Sequence, residues 1–300
     1  MFTEEPSTEQ TPLPPESTVS SEAPTTEPPA PTSEPFSFPP PPSPPTVPSG
    51  DRRWYRLLLA IGTWFLSLLL LLVVPLIVAV PYFIYVWKTR GVPNPQALAN
   101  DKTLLFFSIL GIIPTHLLTL LLVWLVVTEW RKRPFWKAIG FEWPKSASPL
   151  VSALACVLIA VALFVLGAVV TSRWGGSKTQ LDLLVESSLP ARFATAFVAV
   201  FTAPLVEEMI YRGVLYSAVE QALGRAVAIA AVSLLFAGVH VFQYQNNIAV
   251  ILVITMLSFS LTLMRAYTGK LLPSFIVHLV FNGIQSVVIV LAPFFGWGSS

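Results

Sequence analysis

The sequence predicts an all-α fold: a polytopic bundle of about seven transmembrane helices behind a disordered N-terminal tail. Three observations lead there. Of 300 residues, 54% are hydrophobic and only 11% are charged, against about 25% charged in a soluble domain. From Leu57 onward, apolar runs alternate with short charged breaks, and about 20 residues rising 1.5 Å each cover ~30 Å of hydrocarbon. The first fifty residues hold 16 of the 28 prolines and seven Glu, with no Lys or Arg, and such a composition cannot bury a core. An ordinary soluble enzyme is excluded, and so is a nucleic-acid binder of the basic-patch kind. The surroundings of this chain are membrane lipids.

Residues 1–50 form an acidic, proline-rich tail. The stretch Pro39-Pro40-Pro41-Pro42-Ser43-Pro44-Pro45 favours polyproline II, and the remainder lacks the apolar content to fold. No basic segment precedes an apolar core near Met1, so the tail does not read as a secretory signal. Residues 51–192 hold accessory membrane helices, and residues 193–291 hold the helices with the reactive side chains. The expected spans are Leu57–Val86, Leu104–Val127, Leu150–Thr171, Phe193–Tyr216, Ala226–Tyr244, Ile248–Tyr267 and Leu271–Leu291. Pro75 and Pro81 are expected to kink the long first run or let it tilt. No internal repeat is evident, so a transporter built from two matching halves gains no support.

Basic residues orient the bundle. Arg52, Arg53 and Arg56 precede the first span, and Arg131, Lys132, Arg133, Lys137 and Lys145 follow the second. Arg225 precedes the fifth, while Arg265 and Lys270 close the sixth. With seven spans all four clusters fall on one side. That places the N-terminus in the cytosol and the C-terminus outside, in the inner membrane if the host is bacterial.

Charged side chains deep in a membrane cost from ~2.5 to more than 10 kcal/mol, so those interrupting the spans mark candidate function. They are Glu207, Glu208 and Arg212 in the fourth span, His240 in the fifth and His278 in the seventh, with His116 in the second. On a helix Glu208 and Arg212 stand at i and i+4 and can pair, whereas Glu207 is turned ~100° from Glu208. One carboxylate is then structural and the other is left to react; alternatively all three form a buried network that fixes the helix. Phe236 and His240 share a face, as do His278 and Asn282. Polar groups on three spans are satisfied only if those helices meet, and a set of Glu, two His and Asn fits hydrolysis better than passive packing. His116 has no acid or amide at helical spacing and reads as a packing residue. There is no Gly-x-Ser-x-Gly elbow and no His-Glu-x-x-His zinc helix. Cys156, the single cysteine, has no polar neighbour within a turn to activate it.

Glu-Glu-x-x-x-Arg, Phe-x-x-x-His and His-x-x-x-Asn, in that order on separate membrane helices, resemble the CPBP (CAAX protease and bacteriocin-processing) family. This family, also called Abi, includes the Ras-converting type of CAAX prenyl endopeptidase. The motifs stand as Glu207-Glu208…Arg212, Phe236…His240 and His278…Asn282, and the resemblance covers about Phe193–Leu291. It extends weakly upstream to Phe135-Trp136-Lys137-Ala138-Ile139-Gly140-Phe141. The resemblance implies an intramembrane endopeptidase, a hydrolase acting on a peptide or a membrane-anchored protein. It implies that Glu207 with His240 activates the hydrolytic water, that His278 completes the polar centre and that Asn282 holds the oxyanion. Glu208 and Arg212 would hold the helix and the catalytic Glu in place. Members are described as metalloproteases or as metal-independent glutamate proteases. Glu207, His240 and His278 could hold one zinc ion with water in the fourth position, or Glu207 beside a His could act as general base without metal. Prenylated CAAX tails are the family's eukaryotic theme; leader sequences or other membrane-anchored peptides suit a bacterial host. Two non-enzyme readings stand beside these: a scaffold or bacteriocin-immunity protein that keeps the motifs for stability, and a proton-coupled transporter with a Glu–His relay.

Overall fold

In lipid no water is at hand for backbone N–H and C=O groups, so each apolar run must close its hydrogen bonds within itself. The computed structural model describes residues 50–92, 94, 97–98, 101–176, 182, 185–186, 188–244, 247–291 and 294–295. The expected disordered tail therefore lies outside the described residues, apart from Gly50. The long elements are α1 (Gly50–Arg90), α2 (Lys102–Val127), α4 (Pro149–Trp174), α5 (Leu189–Leu223), α6 (Arg225–Tyr244), α7 (Ile248–Thr268) and α8 (Leu272–Leu291). A short helix, α3 (Phe135–Ile139), sits between α2 and α4. Among the described residues all regular structure is helical.

Six of these helices are long and apolar enough to cross a membrane, which makes this a multi-pass integral membrane protein. The remaining long helix, α6, covers the 20 residues Arg225–Tyr244, in line with the expected run Ala226–Tyr244, and rises about 30 Å; within it Arg225–Val241 is a shorter apolar stretch. Helix α1 is longer than its apolar run and continues through Pro75 and Pro81. Large apolar side chains such as Leu58, Phe65, Leu72, Leu158 and Phe201 are exposed on the outer faces, as lipid contact requires.

Cross-helix polar contacts gather one end of the bundle. Arg56 donates to Gln221 Oε1 at 3.1 Å and lies 3.8 Å from Glu129. Arg225 pairs with Glu220 at 3.3 Å, Arg265 Nη2 donates to Ser217 Oγ at 3.2 Å, and Lys270 pairs with Glu142. The start of α1, the end of α2, the α5–α6 junction and the α7–α8 turn thus share one end. The Lys270 ammonium, by hydrogen bond and charge, holds the Glu142 carboxyl below its ordinary value. Asp101 caps α2 by accepting from the Thr103 and Leu104 N–H groups, and Tyr82 of α1 donates to both its oxygens at 3.0 and 2.9 Å.

Two glycines set helix spacing by close approach. A Cβ at Gly111 of α2 would lie 2.6 Å from Pro75 Cα, so α1 and α2 meet backbone to backbone there. A Cβ at Gly213 of α5 would lie 2.8 Å from Ile139 Cγ1, so α3 is plugged onto α5 by one side chain. Beyond α3 the chain turns at Gly140, whose φ of 76° lies in the left-handed region that glycine tolerates. Leu271 N–H donates to Gly140 O at 2.8 Å, and Phe141 packs 5.4 Å from Phe275. The upstream segment therefore braces α5 and the start of α8. One apolar core, including Leu215, Tyr216, Val232 and Phe236, lies around α5 and α6. A second, with Ala160, Val253, Leu261 and Phe281, joins α4, α7 and α8.

Candidate active site

Helix α5 is not a uniform α-helix. Val198–Thr202 and Met209–Leu215 take the wider π spiral, on either side of an α-helical Ala203–Glu208. Such turns are rare and concentrate at functional sites. Here the donor for a carbonyl stands five residues on: Ala203 N–H bonds to Val198 O, and Tyr216 N–H to Tyr211 O. In that register the donor for Ala199 O is Pro204, which has no N–H. Asn282 of α8 supplies it instead, its Nδ2 donating to Ala199 O at 2.9 Å. In the second π stretch Arg212 O accepts from Arg265 Nε of α7 at 3.0 Å. Each widened turn thus offers a backbone acceptor to a neighbouring helix, which satisfies a group that burial would otherwise penalise.

Glu208 and Arg212 are both sealed in the core, with Arg212 Nη1 donating to Glu208 Oε1 at 2.9 Å. A buried ion pair persists only when its remaining donors are also met. Arg212 Nη2 donates to Ser258 O at 3.0 Å and Ser258 Oγ at 2.9 Å, and Nε donates to Thr262 Oγ1 at 3.3 Å. The guanidinium lies 4.6 Å from the Phe236 ring centre. Glu208 Oε1 also receives His278 Nδ1 at 3.0 Å. The side chain of Glu207, one residue earlier, is 27% exposed against 1% for Glu208. One carboxylate is enclosed and its neighbour is reachable.

Glu207 and His240 line one cavity of about 90 Å³, with Tyr211, Thr119 and His116 also in its wall. That space admits several waters. His240 Nδ1 lies 2.8 Å from Phe236 O; a carbonyl only accepts, so Nδ1 carries the hydrogen and the neutral ring keeps its lone pair on Nε2. The His240 ring packs 4.7 Å from that of Phe236 and stacks 6.5 Å from that of Tyr244. His278 and Asn282 are not in the cavity wall. His278 Nε2 stands 3.6 Å from Glu207 Oε2, and Asn282 is seated on the first π turn. His116, read from sequence as a packing residue, instead shares the cavity. Its partner is Thr202 Oγ1 at 2.9 Å, 86 residues along the chain, so no local spacing could have revealed it. Ser258, Thr262 and Arg265 also escaped the sequence reading, although Ser258 and Thr262 show the i, i+4 spacing that marked the other polar pairs.

A zinc ion would need Glu207, His240 and His278 gathered around one point. Among the described residues no group of three or more His, Cys, Asp or Glu side chains is set to hold a metal ion. The steps derived below therefore run through side chains alone.

Residues 189–284 match the model of the family described as Type II CAAX prenyl endopeptidase Rce1-like. No curated protein and no solved structure gives a match. The matched stretch starts with α5 and ends within α8, so Glu207, Glu208, Arg212, His240, His278 and Asn282 all fall inside it, while His116 does not. The matched stretch, which carries the two π turns, the buried ion pair, Glu207 and His240, is thus a domain of the Rce1-like type II CAAX prenyl endopeptidase family.

Proposed function

We propose that this chain is an intramembrane endopeptidase that cleaves peptide bonds of membrane-associated substrates with a water activated by Glu207 and His240. The observation that carries this reading is a reachable carboxylate and an imidazole with an open Nε2 on the wall of one cavity within a membrane bundle. The family match supports a peptide or protein substrate. In the first step water gives a proton to Glu207 while His240 Nε2 accepts its second hydrogen bond. The water oxygen attacks the scissile carbonyl carbon, and the carbonyl electron pair moves onto its oxygen. Asn282 spends one amide hydrogen on Ala199 O; the second is the donor assigned here to the oxyanion. The C–N bond then breaks, and Glu207 returns the proton to the leaving nitrogen. His278, oriented by Glu208, backs Glu207, while Arg212 keeps Glu208 charged and in place.

On this reading residues 193–291 are catalytic, 51–192 are accessory helices and 1–50 are a cytosolic tail. The basic end of the bundle faces the cytosol, and if the host is bacterial the membrane is the inner one. The test uses proteoliposomes and three probes: a farnesylated CAAX-type peptide, its unprenylated counterpart and a lipid-anchored leader peptide. Glu207→Gln keeps shape and hydrogen bonding but removes basicity, so turnover per folded molecule should fall at least ~10²-fold with folded yield preserved. Glu208→Gln weakens the Arg212 pair and should damage yield more than the chemical step. Near wild-type turnover in Glu207→Gln would defeat the assignment. Loss of protein in both variants without loss of specific activity would favour a scaffold.

A further inference from the structure

The cavity wall carries a second imidazole, beside that of His240, which these steps do not use. His116 comes from α2, outside the family-matched stretch, yet it shares the cavity with Glu207 and His240. It is 8% exposed, and its Nδ1 lies 2.9 Å from Thr202 Oγ1. Thr202 in turn donates its hydroxyl hydrogen to Val198 O at 3.3 Å. A hydroxyl has one hydrogen, so Thr202 can only accept from the ring, and His116 Nδ1 carries the hydrogen. The neutral ring then keeps a lone pair on Nε2.

Two of the hydroxyls that accompany His116 in this wall, those of Ser67 and Thr115, behave alike. Ser67 Oγ donates to Trp64 O at 2.7 Å, and Thr115 Oγ1 donates to Gly111 O at 2.8 Å. Both line the cavity, and both spend their hydrogens on their own helices. What they and His116 present is acceptors. These three acceptors on the α1–α2 side of the cavity complement N–H groups, which an extended peptide backbone supplies and an isoprenoid chain lacks.

We propose that His116 Nε2 accepts a hydrogen bond from a backbone N–H of the bound substrate, and so holds the scissile bond against Glu207. His116 is then a substrate-contacting residue supplied by the accessory helices. The inference rests on the endopeptidase reading and says which part of the substrate the α1–α2 side grips: peptide, not lipid.

Two variants separate the contact from architecture. His116→Asn puts an amide nitrogen at the Nδ1 position, which keeps the Thr202 bond but removes the Nε2 acceptor. His116→Gln reaches the Nε2 position with a carbonyl oxygen and gives up the Thr202 bond. With the three peptides named above, His116→Asn should lower kcat/KM at least about 10-fold, chiefly through KM, at unchanged folded yield. His116→Gln should retain more activity than His116→Asn. Wild-type kcat/KM in His116→Asn, or the reverse ranking, overturns the proposal. If neither variant folds, the peptide carrying a benzophenone at its cleavage site is bound to the Glu207→Gln chain and irradiated. Labelling within Lys102–Val127 supports the contact, and labelling only elsewhere overturns it. If the unmodified chain hydrolyses none of the three peptides, the endopeptidase reading falls and takes this one with it; hydrolysis that is indifferent to residue 116 removes only His116.

Discussion

At the scale of single residues, the best-determined side chain is Arg212. Its fork is shared among Glu208, Ser258 and Thr262, with Phe236 beneath it. Arg212→Leu leaves the Glu208 carboxylate buried without its guanidinium, with the hydrogen bond from His278 Nδ1 still in place. Stranding one member of a buried pair costs about 3–5 kcal/mol, so the variant should give less monodisperse protein in detergent and a lower Tm. Normal yield and Tm would mean that Glu208 draws its stability from elsewhere. The pairing itself was legible, because i and i+4 on a helix is a purely local relation. The partners on α7 were not, since Ser258 and Thr262 carry no charge and meet Arg212 only across 46 and 50 residues of chain. The partner of His116, Thr202 on α5, was hidden for the same reason. A histidine whose partner is on another helix looks, on its own helix, like a residue without a function.

At the scale of elements, α5 explains why the three motifs meet as they do. The sequence reading assumes 3.6 residues per turn throughout, and it correctly set Glu207 and Glu208 on different faces. It could not foresee Val198–Thr202 and Met209–Leu215 in the π register, because no composition marks a π turn. Pro204 was a clue left unused: it removes the one backbone donor whose absence seats Asn282 on Ala199 O. Pro204→Ala restores that N–H, and the helix then competes with Asn282 for the same carbonyl. The expected outcome is a folded protein with a displaced Asn282 and reduced turnover, at least ~10-fold if that amide serves the oxyanion. Unchanged turnover in proteoliposomes would detach Asn282 from the reaction. The expected run Ala226–Tyr244 agrees with α6, Arg225–Tyr244, because an unbroken apolar stretch is a purely local signal.

At the scale of the whole molecule, the alternation of apolar runs and basic breaks made the membrane bundle legible from composition alone. Contacts such as Arg56–Gln221 and Arg265–Ser217 show why the breaks could be read together: they occupy one end. By composition residues 1–50 are expected to be dispensable for catalysis. Deleting 1–48, with Arg52 and Arg53 kept for orientation, should leave turnover per folded molecule within about twofold of the full chain, since the tail lacks the apolar content to join a core. A loss of activity would give the tail a role in substrate capture. The two π turns also govern which length changes the chain can accept. A residue lost from 199–202 is absorbed, because Ala203 N–H then closes an ordinary i+4 bond onto the same Val198 O, whereas one lost from 203–206 rotates everything beyond it by ~100°. Glu208 would then stand where Glu207 now lies, and Glu207 would take the buried place of Val206. Insertions and deletions should therefore be absorbed by the links between helices, and a single loss by the first π turn, whereas 203–206 behaves as a combination lock in which one missing residue brings the wrong carboxylate to the site.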